Sequence, residues 1–310
     1  MAVSTWFREE IKDLVRARYQ ANGGYLDGTT LPGESSAGTV KYPVGGGRVE
    51  MYELTGAINK VSPSEVVLDM VTLVTRDYEA AVYFRMQDEK RMGPSLKAKL
   101  ADDMTKSVRR KKDRIKLDAL NAFASAGATT LTEAPTAIQT IGDGTARVDL
   151  LNCIEAIDQI SGAGSDDEVF WPIPNVWMSQ LLMYKEFSNA DYQGPSDLPF
   201  ARASKVMRKT FRGVHMFTMP DEYFTYGTGG YVAGTPGFTG ANYLDTFMWT
   251  KSALGSETWW DQENMTINEL PDYEGTPSVC KVQLSSASLG ILPEGIKRVR
   301  MLAIKSAIRV

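Results

Sequence analysis

At 310 residues, with 43% hydrophobic and 23% charged side chains, the chain is long enough for one large domain or two ordinary ones and too apolar for global disorder. One histidine, His215, and two cysteines, Cys153 and Cys280, exclude a histidine–cysteine zinc cluster, an iron–sulfur site and a disulfide scaffold. The net charge of −4 argues against a dedicated nucleic-acid binder.

Ser4 or Thr5 caps an expected helix to about Gln20, whose face of Phe7, Ile11, Leu14 and Val15 needs a partner and which Gly23-Gly24 ends. Arg8, Glu9, Glu10, Lys12 and Asp13 keep this start from reading as a secretory signal. Asp27 to Gly47 is rich in Gly, Pro, Ser and Thr and reads as an extended arm or loop. Strands are expected at Glu50–Leu54, Glu65–Val74 and Tyr78–Met86, the second from the alternation of Val67, Asp69, Val71 and Leu73. Such a ribbon is marginal alone and leaves unpaired edges, so a neighbouring copy must cover whatever the rest of the chain does not.

Pro94 then opens a long helix, about Ser95 to Ser125, on the recurrence of Leu96, Leu100, Met104, Val108 and Ile115. A Thr- and Ala-rich connection, Gly127 to Gly144, leads into a mixed pattern. It comprises a helix through Val148–Ile157 closed by Gly162, a strand at Val169–Trp171, a helix from Asn175 to Tyr184, and strands at Gly213–Thr218 and Tyr243–Met248. Gly227–Gly240 reads as a long loop without the context of a dinucleotide or P-loop site. The tail reads as strands at Val279–Leu284, Gly290–Ile296 and Arg298–Ile304. No uncharged apolar run approaches the ~18–20 residues that span a bilayer.

Charge is segregated. Lys90–Leu117 carries a net +8 and Glu294–Val310 a net +4, against −4 over Gly33–Glu89 and −12 over 118–293. The run Arg109, Arg110, Lys111, Lys112, Arg114 and Lys116 covers all faces of two helical turns without interleaved aromatics, so a solvated or inter-subunit face fits it better than nucleic acid. Its candidate partners are the ribbon acids Glu50, Glu53, Glu65 and Asp69. For catalysis, the best cluster is Glu257, Asp261 and Glu263 around Trp259-Trp260, which could serve a sugar substrate as acid and base. In a strand those carboxylates share one face, and such a face is more often an exposed edge. Asp166-Asp167-Glu168 reads as an acidic turn, and His215, between Phe211 and Phe217, as a packed strand residue. No catalytic or metal residue is assigned, and no cofactor or membrane partner is expected.

The order of elements carries a resemblance. An acidic ribbon ending in "RDYEAAVYFRMQDEKRMGP", the basic helix "SLKAKLADDMTKSVRRKKDRIKLDALNAF", a mixed middle region and the ending "SASLGILPEGIKRV" resemble the major capsid proteins of tailed bacteriophages with the Hong Kong 97-like fold. The resemblance implies an α+β chain with an N-terminal arm at 1–32 and an extended loop, the E-loop, at 33–90. It also implies a peripheral domain at 91–145 plus 271–310 with the long helix as its spine, and an axial domain at 146–270. It implies a virion subunit assembled in the host cytoplasm as hexamers and pentamers of an icosahedral shell around double-stranded DNA bound non-specifically. Partners would be a portal protein, a possible decoration protein and, since only about 33 residues precede the ribbon, a separate scaffolding protein. For a lysine–asparagine cross-link, as some relatives form, ribbon Lys60 could be the lysine, although Asn59 beside it and the absence of a recognisable partner motif count against it. An encapsulin-type compartment is the alternative on the same fold, and a carbohydrate-active enzyme the alternative of another class.

Overall fold

The computed structural model describes residues 20–34, 38–46, 51, 67–84, 94–126, 138–162, 166–188, 207–226, 243–262, 266–270, 272–274 and 277–303. In chain order come β1 (Leu31–Pro32), β2 (Thr39–Gly46), β3 (Val67–Val74), β4 (Arg76–Phe84) and the long helix α1 (Pro94–Ala126). β5 (Thr140–Ile141), α2 (Leu150–Ser161), β6 (Val169–Pro174), α3 (Asn175–Leu181), α4 (Lys185–Ser188), β7 (Arg208–Phe211) and β8 (Val214–Met219) follow. The chain closes with β9 (Thr225–Tyr226), β10 (Tyr243–Thr250), β11 (Leu254–Asp261), β12 (Thr266–Glu269), β13 (Ser278–Gly290) and β14 (Ile296–Leu302). The described residues fall into two compact units, one within Met1–Gly24, Arg76–Asp113 and Trp260–Ser286, the other within Tyr25–Thr75, Arg114–Trp259 and Ala287–Val310.

In the first unit, β4 pairs antiparallel along β13 from Phe84 opposite Ser278 to Arg76 opposite Ser286, and β12 pairs with the start of the same strand. Register puts Val82, Cys280 and Ile267 side by side on one face, and Cys280 is fully buried there. On the same side of β4, Tyr78 lies under Lys111 of α1, while Val82 and Ile267 further along remain exposed. The helix is supported locally by Lys99–Asp103 and Lys106–Asp102 pairs one turn apart, and it buries Met104 and Val108. At ~1.5 Å per residue its 33 residues extend about 50 Å. Gly23 crosses it so closely that a side-chain carbon would stand 2.4 Å from the Arg110 nitrogen, and its φ of +76° is one that glycine tolerates.

The second unit is built on a mixed sheet in the order β5-β14-β10-β6-β8-β7, with β9 on the edge of β10. α2 and α3 deliver Cys153, Ala156, Ile157, Ile160, Trp177, Met178 and Leu181 into its main core. Trp171, Trp177 and Trp249 are buried almost completely, and the Trp171 indole N–H donates to Thr246 Oγ1 at 3.0 Å. α2 starts where Asp149 accepts from the Asn152 N–H at 2.7 Å, as the helix ends and starts of a polar cap require. The hairpin β2–β3 runs from Thr39 opposite Val74 to Gly46 opposite Val67. Its inner side places Val40, Tyr42, Val71 and Leu73 on Ala287 and Ile291.

Most expected elements form within two residues of their bounds, but several differ. β2 replaces the expected loop before Gly47, because Val40 and Tyr42 alternate onto the core while Pro43 and the glycines, which lower strand propensity, are tolerated in a two-stranded ribbon. β7 pairs with β8 where no strand was expected. The tail forms one thirteen-residue strand, not two shorter ones, up to Gly290, which packs directly on the Phe123 ring; Gly290–Ile296 is then mostly a turn around Pro293 rather than a strand. The expected helix at 4–19, the loop Gly227–Gly240 and Glu50–Leu54 other than Met51 lie outside the described residues.

Candidate functional site

α1 exposes its basic residues unevenly. Within the first unit, Lys112 is ion-paired with Asp261, the Lys111 ammonium sits 4.3 Å above the Tyr78 ring, and Arg110 Nη1 donates to Gln20 Oε1 at 2.7 Å. Gln20 in turn donates to Asp103 at 2.5 Å, so the segment before Gly23 is held by a basic and an acidic residue of the helix together. Within the second unit, Lys116 is buried and donates to the Leu26 carbonyl at 2.8 Å, with the Asp27 carboxylate at 3.6 Å. Arg109 and Arg114 are the exposed members, and among the described residues Arg114 makes no hydrogen bond or ion pair. The run that reads as one charged patch in sequence is therefore uneven in exposure, with Lys116 buried, Arg110, Lys111 and Lys112 half-buried and Arg109 and Arg114 exposed.

Of the candidate acids, Glu50, Glu53 and Glu65 lie outside the described residues. Asp69, opposite Val44, shares the face of Val71 and Leu73 and is half-buried. The outward face of the ribbon is mixed: Leu68, Met70 and Val74 are 79%, 57% and 60% exposed, with Thr72 opposite Lys41 between them. That row was open to detection in sequence, since it is the complement of the alternation that marks the inner face. Isolated exposed hydrophobics are ordinary, but three on one face of a single strand are a feature to account for.

Among the described residues, Glu257 and Asp261 do not form a catalytic pair. Glu257 and Asp261 are four residues apart on β11, about 13 Å at ~3.3 Å per residue, beyond the ~5–9.5 Å that glycoside hydrolysis uses. Asp261 is engaged by Lys112, and partial burial raises the Glu257 carboxyl while the Gly33 N–H opposes that rise. Glu263 lies outside the described residues. Trp259 and Trp260, adjacent in a strand, face opposite ways and cannot line one sugar platform. His215 is indeed a packed strand residue: its ring stacks on Phe170 at 5.6 Å and its Nδ1 lies 3.1 Å from Thr210 Oγ1. It borders a cavity of about 400 Å³ with Tyr25, Asp27, Glu168, Phe170 and Arg208. Burial, then Asp149, pushes the Cys153 thiol far up, which makes it inert as a nucleophile. Among the described residues, no group of three or more His, Cys, Asp or Glu could hold a metal ion, and no helix is long and apolar enough to cross a membrane.

A sequence profile described as "Phage capsid protein" matches residues 3–302. The chain belongs to the phage capsid protein family. Its fold is that of tailed-phage capsid proteins, as three solved structures illustrate. The capsid of cyanophage P-SCSP1u is 15% identical, with 97% of this chain and 94% of that one covered and a TM-score of 0.61. The mature capsid of bacteriophage PhiM1 is 15% identical, with coverage of 94% and 90% and a TM-score of 0.61. The capsid of Ralstonia phage GP4 is 8% identical, with both chains covered in full and a TM-score of 0.62. Among curated proteins, no sequence gives a significant match. This phage capsid protein is a structural subunit of the virion shell, a major capsid protein and not an enzyme, and the Hong Kong 97-like expectation holds for it. The carbohydrate-active alternative is withdrawn on the same ground and on the carboxylate spacing above.

Proposed function

We propose that this capsid protein closes as hexamers and pentamers into an icosahedral shell around double-stranded DNA, with residues 33–90 acting as an E-loop laid over a neighbouring copy. The observation that carries this reading is the ribbon: Val71 and Leu73 are buried on the chain's own core while Leu68, Met70 and Val74, one residue out of phase, stay exposed. In this reading the surface beneath the neighbour's ribbon is its spine helix and peripheral domain, at 91–145 plus 271–310, and the axial domain is 146–270. On the spine helix, Arg110, Lys111, Lys112 and Lys116 are less exposed, and Arg109 and Arg114 have the exposed side chains that a neighbour would meet. Their partners on the neighbour are the acidic ribbon residues Glu50, Glu53 and Glu65. Many modest contacts of this kind, repeated by closed symmetry, give a stable shell without any one strong site. A separate scaffolding protein, a portal and a possible decoration protein complete the proposed set of partners, and DNA contact is non-specific. Assembly in the bacterial cytoplasm goes with this reading.

Negative-stain microscopy with light scattering tests it. Closed shells of uniform diameter, or hexameric and pentameric rings, are the expected result for the wild-type chain expressed with its genomic neighbours. A monomer or dimer under all such conditions would overturn the proposal. Arg109→Glu with Arg114→Glu is expected to cut particle yield at least tenfold, with far-UV circular dichroism unchanged. The paired Lys112 is the control, because its reversal strands Asp261 and disturbs the folded subunit as well.

A further inference from the structure

We infer that Lys116 and Trp249 form a clasp that fixes the turn Tyr25–Thr30 on the second unit, and thereby keeps that edge of the subunit uniform from copy to copy; the second half of this statement rests on the shell reading above. The clasp closes on the turn Tyr25–Thr30. Leu26 is fully buried, and its carbonyl accepts from Lys116 Nζ at 2.8 Å, from Thr29 Oγ1 at 2.8 Å and from the Thr29 N–H at 3.3 Å. Three residues later, the Thr29 carbonyl accepts from the indole N–H of the fully buried Trp249 at 2.9 Å.

The choice of partners is informative. A lysine removed from water loses several kcal/mol of solvation unless hydrogen bonds replace it. Here the ammonium is buried and directed at a main-chain carbonyl, with the Asp27 carboxylate at 3.6 Å and mostly exposed. A lysine serving only charge balance would stay in water beside Asp27. One directed at a carbonyl fixes backbone position. Immediately downstream the chain is pinned again, since β1 pairs in parallel with Gly255 and Ser256 and the Gly33 N–H donates to the Ser256 carbonyl at 3.2 Å. From Leu26 to Gly33 the segment is thus tied at both ends within one unit. In a closed shell repeated copies must present the same contact geometry, and a clasp that fixes Leu26–Gly33 on its own unit supplies that uniformity.

The test is amide hydrogen exchange of the full chain, together with particle sizing. Lys116→Met, which keeps the aliphatic stem and removes the donor, is expected to speed exchange over residues 26–33 by roughly tenfold or more and to leave β6, β8 and β10 unchanged. Its particles are expected to show a broadened size distribution. Asp27→Asn, on an exposed side chain, is expected to speed the same amides two- to threefold and serves if Lys116→Met does not fold. Unchanged exchange at 26–33, or an equal loss of protection along the whole chain, overturns the clasp. Local loosening with wild-type particle dimensions overturns its role in assembly. Absence of wild-type particles defeats the shell reading alone, because the exchange measurement still decides whether the clasp exists.

Discussion

The seven-stranded sheet of the second unit and the β2–β3 ribbon in the same unit spend similar side chains in opposite ways. The sheet turns Trp171, Ile173, Met216, Leu244, Met248 and Val299 into one continuous core closed by two helices, so its apolar demand is met inside the chain. The ribbon splits its demand by pleat: one row meets Ala287 and Ile291, and the next residue along each step faces outward. The first arrangement buries its apolar side chains within the chain; the second leaves Leu68, Met70 and Val74 exposed. The difference teaches that burial by itself does not mark function in a shell protein. The informative residues are those whose immediate neighbours along the strand are buried while they are not.

Substitution in the sheet is the strongest way to break that contrast. Trp171→Ala removes a side chain of no exposed area together with its hydrogen bond to Thr246, and is expected to destabilise the isolated subunit by about 3–5 kcal/mol. Urea unfolding at neutral pH measures this. A loss below about 1 kcal/mol would mean that the sheet core is not the seat of stability.

How much of this was legible in the sequence follows from the same contrast. Periodic signals that repeat within one element were readable: α1 from Met104, Val108 and Ile115, and β3 from its alternation. β2 was not, because Pro43 and Gly45-Gly46 look like punctuation until Val40 and Tyr42 are known to meet Val71 and Leu73 across a ribbon. The single strand β13 was split in expectation because a run of small serines, Ser285 and Ser286, carries no alternation, yet both are buried between neighbouring strands. The uneven exposure of the basic run was illegible for a different reason. Lys112 meets Asp261, 149 positions away, and Lys116 meets Leu26, 90 away, pairings that no local spacing encodes.

A smaller effect lies at the boundary between the two regimes, on the inner row of the ribbon. Burial, then the nearby Glu257 carboxylate, pushes the Tyr42 phenol up to about 12, while the Ser256 main chain opposes that rise. Between roughly pH 10, where an unfolded tyrosine ionises, and about 12, the folded chain keeps a proton that the unfolded chain has lost. Stability contributed by the neutral phenol is therefore present below pH 10 and falls as pH rises through that window. Tyr42→Phe is expected to change neutral-pH stability by no more than ~1 kcal/mol, and to flatten the alkaline decline relative to wild type. Paired urea titrations at pH 8 and pH 11 check the difference. An identical alkaline decline in both chains would place the titration elsewhere.

The smallest effect on the subunit is expected where the effect on assembly is largest. Met70 stands on the outward row, 57% exposed, opposite Pro43, so Met70→Asp removes little buried contact and adds a charge already in water. The isolated chain should keep its stability within about 0.5 kcal/mol. In the proposed shell the same carboxylate would be carried under a neighbour's surface once per copy. Desolvating an unpaired charge at each repeat is unfavourable enough that modest contacts summed over many copies cannot offset it. Met70→Leu, which conserves volume and hydrophobicity, should assemble normally. A stable, folded Met70→Asp chain that forms wild-type particles would show that the outward row is solvent-facing in the virion, and the covering contact would then have to be sought elsewhere on the subunit.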